Sequence, residues 1–259
     1  MADNDFVERK LARIMRARRE SLGDQAPQRL HRSEGKLGAS QIQIWRAGQR
    51  FPKSVAQNVH FARHLRGEIN LSAMRNAVSK LCERHEAFRT QFVRSQTPGS
   101  AAEVTQRVLS RTRLELEFSD LAEKLDEDPP IALDDLHRAA VFASLDAASG
   151  DMARAHLVRL SRDEYLLLFT MHHLIADGWS KDIVLHDLFT LYEQALGKRL
   201  SELPELSIQP LDAYHWKEEE SLVSERQRVS EHWVSYLNGA KGNLQLPVCP
   251  DSELSLIHI

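Results

Sequence analysis

The chain has 259 residues, 42% of them hydrophobic, which is enough for a core in one large domain or two small ones. Its 34 basic and 37 acidic side chains give a net charge of -3, so no overall basic field favours nucleic acid or an anionic membrane. Cys82 and Cys249 form neither a metal-binding spacing nor a disulfide framework, and no apolar run is of membrane length. With no signal-peptide pattern either, the sequence predicts a cytoplasmic protein that binds neither nucleic acid nor membrane.

Residues 1–36 differ from the rest of the chain. Apolar residues recur at helical spacing within residues 5–22, and basic residues occupy the other faces of that predicted helix. Gly23 ends the helix, and residues 24–36 have the composition of a linker. The basic amphipathic helix is either a docking element for an upstream synthase or a leader that rests on its own domain, and both interpretations stay open.

From residue 37 onward, strand and helix patterns are mixed without regular alternation or an internal repeat. The predicted elements are a helix at 40–47, a strand at 58–65, a helix at 71–81 capped by Asn70, strands at 87–94, 104–109 and 114–118, a helix at 133–145, strands at 153–160 and 165–172, and helices at 181–196, 211–222 and 224–237. The patterns at 153–160 and 165–172 indicate an antiparallel hairpin. This order predicts an α+β fold in which helices flank a mixed sheet.

A polar stretch, His172 to Ser180, follows the most apolar run of the chain, Tyr165 to Met171. That run has strand length, no Gly or Pro and no polar alternation, which is typical of a strand buried on both faces. Helical spacing resumes at residue 183, so the polar stretch lies at a strand-to-helix switch, where many α/β active sites are found.

Adjacent residues on a strand point to opposite faces, so His172 and His173 are poorly placed to share one metal ion. The sequence has no Gly-x-Ser-x-Gly elbow and no Gly-rich phosphate loop, and Cys82 and Cys249 are interpreted as inert. One imidazole facing a cavity then remains, as a general base or as a group that orients a nucleophile brought by the substrate. The alternative, two satisfied core histidines and an ordinary capping Asp177, stays open.

Residues 172–178, His-His-Leu-Ile-Ala-Asp-Gly, resemble the His-His-x-x-x-Asp-Gly motif of nonribosomal peptide synthetase condensation domains. Upstream, residues 84–92, Arg-His-Glu-Ala-Phe-Arg-Thr-Gln-Phe, resemble the family's Arg-His-Glu-x-Leu-Arg-Thr-x-Phe, with Phe88 in place of Leu. Asp212 and Trp216 match two positions of a third motif, whose first Tyr is Pro210 here. The resemblance covers residues 37–251.

The first family motif, Ser-x-Ala-Gln-x-Arg-Leu-Trp, is only partly present. Residues 38–45 keep Gln41 and Trp45, with Gly38 at the start and Gln43 in place of the Arg. The family's second lobe has no counterpart, and residues 252–259 match nothing and are interpreted as a truncation scar. The resemblance therefore predicts one chloramphenicol-acetyltransferase-like lobe with the second lobe missing, and the fragment alone is expected to be inactive.

For the site, the resemblance implies that His173 is the catalytic imidazole. His172 and Asp177 would be structural, Asp177 would pair with Arg84 or Arg89, and Gly178 would give the loop room. The reaction implied is amide formation between a carrier-bound acyl or peptidyl thioester and the amine of a carrier-bound aminoacyl acceptor.

The resemblance also implies partners. These are upstream and downstream carrier proteins that bring phosphopantetheine-linked substrates, the missing C-terminal lobe, and an adjacent adenylation domain; no cofactor would bind the chain directly. Two alternatives remain: an acyltransferase of the same fold that acts on a hydroxyl or a small-molecule amine, and a non-catalytic carrier-docking module. An epimerisation domain fits less well, because Trp179 precedes Ser180 here and that subfamily has the reverse order.

Overall fold

The computed structural model describes residues 27–51, 54–94, 104–122, 129–198, 203–217 and 220–240. The chain divides into two compact units, Met1–Lys217 and Glu218–Ile259. The predicted helix at 5–22, the tail at 252–259 and Cys249 lie outside the described residues, so they stay predictions.

The described part contains both predicted kinds of element. The elements of the first unit are β1 Glu34–Lys36, α1 Ala39–Arg50, β2 Asn58–Arg66, α2 Leu71–Arg84, a 3-10 turn Glu86–Arg89, β3 Thr90–Arg94, β4 Val104–Val108, β5 Leu116–Asp120, α3 Pro129–Val141, β6 Ala153–Arg159, β7 Glu164–His172, α4 Ser180–Ala195 and α5 Pro210–Lys217, while α6 Glu220–Tyr236 belongs to the second. The α+β prediction is confirmed.

The large sheet has the strand order β2-β7-β6-β5. Strand β7 is antiparallel to both β2 and β6, and β5 runs parallel to β6, so the sheet is mixed. The predicted hairpin of β6 and β7 is confirmed, and the N–H of Leu160 donates to the carbonyl of Glu164 at 2.8 Å where it turns. Strand β7 lies between β2 and β6, and its Leu167, Phe169 and Met171 have no exposed surface. This burial explains the apolar sequence of the strand.

Helices α2 and α4 contribute to the main core, together with side chains of the large sheet. Met74 and Leu81 of α2 and Leu188 of α4 are fully buried in it. Burial of each such side chain contributes about 2 kcal/mol. The predicted cap of α2 is confirmed, because Asn70 Oδ1 accepts the N–H of Ala73 at 2.9 Å.

A small sheet of strand order β1-β4-β3 lies beside a second core cluster. Its buried members share apolar character and come from distant parts of the chain: Leu37, Trp45, Phe92, Val104, Ala147, Met152 and Leu174. Leu174 directly follows the histidine pair. The second cluster therefore connects the small sheet and α1 with the loop after β7.

The predicted strand at 87–94 and three predicted helices differ from the structure. Residues Glu86–Arg89 form a 3-10 turn, held because the hydroxyl of Thr90 donates to the carbonyl of Glu86 at 2.8 Å. Helix α3 begins four residues before the predicted start, at Pro129, a residue that suits a first turn because its missing N–H is not needed there. The C-terminal helix boundary also moves, since α5 ends at Lys217 and α6 begins at Glu220.

The segment at 24–36 was predicted to be a linker. Its described part, residues 27–36, instead makes specific contacts with the rest of the first unit. Strand β1 pairs with β4, and Arg29 donates to Asp212 at 2.8 Å and to Glu86 at 2.5 Å. Polar composition concealed this attachment, because the contacts are made by charged side chains and by a strand of only three residues.

Candidate active site

The two histidines at the end of β7 face opposite sides, as the strand alternation predicts. The side chain of His172 is buried, with 9% of the residue exposed, whereas His173 is exposed. Their backbones stay bonded to neighbouring segments: the N–H of His172 donates to Met152 at 2.9 Å and that of His173 to Gln57 at 2.7 Å. The result is a solvent-facing imidazole on an anchored backbone.

The buried imidazole of His172 organises the turn that follows. Its Nδ1 accepts the N–H of Leu174 at 3.0 Å, and its carbonyl accepts the N–H of Ile175 at 3.0 Å. Burial, and then the neighbouring His173, lowers the pKa of His172 to about 4. At neutral pH this imidazole is therefore uncharged, with its proton on Nε2 because Nδ1 is an acceptor.

Asp177 does not pair with Arg84 or Arg89, so that expectation is wrong. Its side chain is exposed, and Oδ1 accepts the N–H of Ser180 at 3.0 Å and the hydroxyl of Ser180 at 2.8 Å. The N–H of Asp177 donates back to Ser180 Oγ at 3.0 Å. These contacts close the turn that leads into α4, because Ser180 is the first residue of that helix.

The buried ion pair expected for Asp177 is made instead by Asp187, in the middle of α4. Arg84 Nε donates to Asp187 Oδ2 at 2.8 Å, and His85 Nε2 lies 2.7 Å from the same oxygen. His186 Nδ1 lies 3.0 Å from Oδ1. Burial alone would raise the pKa of Asp187, but the hydrogen bonds from His186, His85 and Arg84 outweigh it and hold that pKa well below its usual range.

Arg89 also has partners other than Asp177. Its NH1 donates to the carbonyl of Leu109 at 2.8 Å, and its NH2 lies 3.6 Å from Glu86 Oε1. Arg89 therefore connects the 3-10 turn with the end of β4, away from the loop that it was expected to hold.

Gly178 is not required by space or by backbone strain. A Cβ added at this position would meet no atom within 4 Å, and Gly178 is absent from the glycines that have a positive φ. The expectation that Gly178 gives the loop room is therefore not supported by its surroundings in this structure.

A second buried polar group surrounds Asp212 at the start of α5; the third motif included Asp212 but gave no indication of its partners. Asp212 is completely buried and accepts from Arg29, from the N–H of Leu30 at 3.0 Å and from the N–H of Gln209 at 2.8 Å. Gln209 Nε2 in turn donates to the carbonyl of Arg84 at 2.8 Å. For Asp187, the sequence does contain a signal of burial, because this carboxylate lies within the apolar stripe of its predicted helix.

The other candidate chemistries find little in the described residues. Cys82 is buried, and burial raises the pKa of its thiol to about 11, which leaves no reactive thiolate at neutral pH. Within the described ranges, no three His, Cys, Asp or Glu side chains are grouped to hold a metal ion. No helix in these ranges has the length and apolar content needed to cross a bilayer.

A cavity of about 440 Å³ is lined by His172 and Leu174. The remaining wall comes from the C-terminal half of α1, from residues of the loop between α1 and β2 together with Asn58, and from residues 142–148. The exposed side chain of His173 is not part of that wall, so the two histidines contact different spaces.

Comparison with known proteins matches this arrangement to one family. The Condensation domain profile matches residues 33–254. Malpinin synthetase from Mortierella alpina is 33% identical over 211 residues, covering 82% of this chain and 3% of that protein. Bacitracin synthase 1 from Bacillus licheniformis is 30% identical over 194 residues, covering 75% of this chain and 3% of that protein.

Solved structures give the fold. The starter condensation domain of rhizomide synthetase RzmA superposes with a TM-score of 0.71 at 17% identity, covering 82% of this chain and 49% of that one. The condensation domain of Monacolin K polyketide synthase MokA gives 0.68 at 19% identity, covering 88% of this chain and 49% of that one. The chain thus spans about half the length of these domains, whose fold is the chloramphenicol-acetyltransferase-like one that the motifs implied. With a family profile that spans most of its length and the motif histidines at the end of a buried strand, the chain belongs to the condensation domain family.

Proposed function

We propose that this chain is the part of a condensation domain that supplies the catalytic imidazole, His173, for amide bond formation in nonribosomal peptide synthesis. The observation that carries the proposal is the division of the histidine pair. His172 is buried and holds the turn, which leaves His173 exposed on a fixed backbone. An imidazole so placed can accept a proton from a bound nucleophile.

In the proposed reaction, the amine nitrogen of the acceptor attacks the thioester carbonyl carbon of the donor. A C–N bond forms and the C–S bond breaks, and the proton that the amine loses ends on the departing sulfur, which leaves as a thiol. His173 accepts the proton that the amine loses, or holds the amine so that its lone pair points at the carbonyl. No covalent intermediate on the protein is needed, which agrees with the inert Cys82.

We further propose that donor and acceptor arrive on phosphopantetheine arms of upstream and downstream carrier proteins, with an adenylation domain in the same assembly. This is supported by the names of relatives, among them bacitracin synthase 1 and a beauvericin nonribosomal cyclodepsipeptide synthetase. Cofactor chemistry would then belong to the carriers, and the protein would act in the cytoplasm. The helix predicted at 5–22 is a candidate for docking an upstream synthase.

Because the chain spans about half the length of solved condensation domains, we assign the reaction to a complete domain that contains this lobe. The 259-residue chain alone is expected to give no condensation product. A normal rate from the isolated chain, with loaded carriers supplied, would contradict this assignment.

The decisive experiment compares the complete synthetase with its His173→Ala variant, using carrier-loaded donor and acceptor. Product formation is expected to fall at least about a hundredfold, the usual loss when a general base is removed. Unchanged product formation would favour a non-catalytic docking module.

A matched control is Gln43→Ala, a change at an exposed position of α1, which is expected to leave the rate unchanged. Acceptors with an amine and with an alcohol separate amide formation from transfer to a hydroxyl. Faster transfer to the alcohol would overturn the amide assignment.

A further inference from the structure

The turn after the histidine pair is held from outside by a buried glutamine. Gln41 of α1 is 3% exposed, and its Nε2 donates to the carbonyl of Leu174 at 3.0 Å. Leu174 is the residue directly after His173. This contact joins α1 to the turn across a sequence separation of 133 residues.

The other end of the Gln41 amide is fixed as well. Its Oε1 accepts the N–H of Gly38 at 3.1 Å and Nε2–H of Gln106 at 3.3 Å. Gln106 Nε2 also donates to the carbonyl of Lys36 at 2.8 Å. Because a backbone N–H can only donate and a carbonyl can only accept, these partners define which end of the Gln41 amide is oxygen.

Trp45, one helical turn after Gln41, packs in the same cluster as the Leu174 side chain. One face of α1 thus contacts both parts of Leu174: Gln41 binds its carbonyl and Trp45 shares its hydrophobic surroundings. The N–H of Leu174 is already bound to His172, and that of His173 to Gln57. The backbone on both sides of the exposed imidazole is therefore restrained by Gln41, His172 and Gln57.

We propose that Gln41 is a positioning residue for His173, acting through the carbonyl of Leu174. This inference rests on the proposed function for its catalytic consequence, although the restraint on the turn is independent of it. Without the Gln41 N–H, a buried carbonyl loses its donor and the turn samples other conformations. The imidazole then spends less time where it meets a bound amine, because catalysis requires placement within a fraction of an ångström.

The discriminating variant is Gln41→Glu. An ionised glutamate keeps the acceptor for Gly38 and Gln106 and replaces the donor to Leu174 with a buried carboxylate oxygen. That oxygen repels the Leu174 carbonyl, so this variant reverses the contact while keeping the other two. Gln41→Ala removes every contact, and Gln43→Ala, at an exposed position of the same helix, is the matched control.

The first measurement is amide hydrogen exchange by NMR on the 259-residue chain at pH about 8. In both Gln41 variants the amides of residues 173–175 are expected to exchange about tenfold faster. The amides of Leu160 and Ser161, bonded to Glu164 in the distant hairpin turn, are expected to be unchanged. Unchanged exchange at 173–175, or an equal increase at both turns, would overturn the restraint.

The second measurement is made in the complete synthetase. Gln41→Glu is expected to lower kcat about tenfold while leaving KM for the carrier-bound acceptor unchanged, since substrate binding does not use this contact. Faster exchange with unchanged kcat would overturn the positioning role. If His173→Ala keeps its activity, the proposed function fails, and the exchange result still decides whether Gln41 restrains the turn.

Discussion

Two polar regions, one within α4 and one in the loop that precedes it, use the same kinds of side chain in opposite ways. Asp187 is buried and binds Arg84 and His85, residues more than 100 positions away in the sequence. Asp177 is exposed and binds Ser180, three positions away. The comparison indicates that the buried region joins helices and contributes to stability, whereas the exposed loop is held by local contacts and the side chain of His173 beside it is exposed.

The largest expected effect comes from the buried region. Asp187→Ala should lower the free energy of unfolding by about 3–5 kcal/mol, because it leaves the guanidinium of Arg84 buried without its carboxylate. Urea unfolding of the isolated chain measures this. A loss no greater than that of Asp177→Ala would remove the distinction between the two regions.

The same carboxylate should produce acid sensitivity. Because the pKa of Asp187 is lowered on folding, its stabilisation is complete above the ordinary value of 3.8 and is lost as the pH falls below it. Urea titrations between pH about 5 and about 2 should therefore show a smaller decline for Asp187→Ala than for the unmodified chain. Parallel curves would contradict the lowered pKa.

His172 should make stability pH-dependent at milder acidity. Its pKa falls from 6.5 to about 4 on folding, so the unfolded chain binds the proton first and stability declines between those values. The decline is at most about 3 kcal/mol, at about 1.36 kcal/mol for each pKa unit. His172→Asn should reduce the slope, and His173→Ala, at the exposed position, should leave most of it; similar slopes in all three proteins would contradict this.

In the exposed loop, Asp177→Ala should cost about 1 kcal/mol, the usual loss when a side chain that caps a first helical turn is removed. Ser180→Ala should cost a similar amount, and the double variant should cost less than the sum because both changes remove the same contacts. Strict additivity in urea unfolding would show that the two side chains stabilise the loop independently.

The smallest effect is expected at Gly178. Gly178→Ala should change stability by less than about 0.5 kcal/mol, since its Cβ meets nothing within 4 Å. Gly150→Ala is the contrasting control: Gly150 has a φ of 79°, and a Cβ there would lie 2.9 Å from Leu109 Cδ1. That change should cost more than about 1 kcal/mol, and equal thermal shifts for the two variants would contradict the contrast.

The sequence was sufficient for features with a strong local pattern. The uniform apolar run of β7 predicted a strand with both faces covered, and alternation predicted that one histidine of the pair would be buried and the other exposed. The sequence pattern did not predict which charged side chains pair, because pairing depends on their proximity in three dimensions. Asp177 was expected to bind an arginine, but nothing local distinguishes it from Asp187, apart from the position of Asp187 in an apolar stripe.

Short or irregular elements also escaped prediction, for identifiable reasons. Strand β1 has only three residues, so no periodicity can be seen in it. The 3-10 turn before β3 depends on the hydroxyl of Thr90 reaching back to Glu86, a contact that competes with the strand pattern of its neighbours. Gln41 was recognised as a motif residue, but its contact with Leu174 was not predicted, because the two residues are 133 positions apart in the sequence.

The anchoring of Arg29 bears on how such a lobe is exchanged between synthetases. A junction placed anywhere in residues 30–36, which look like linker, would separate Arg29 from the two carboxylates that it bridges, Glu86 and Asp212. The transferred lobe would then contain the fully buried Asp212 without the guanidinium of Arg29. A junction on the N-terminal side of Arg29, before the profile match that starts at residue 33, keeps this ion-pair group within one module.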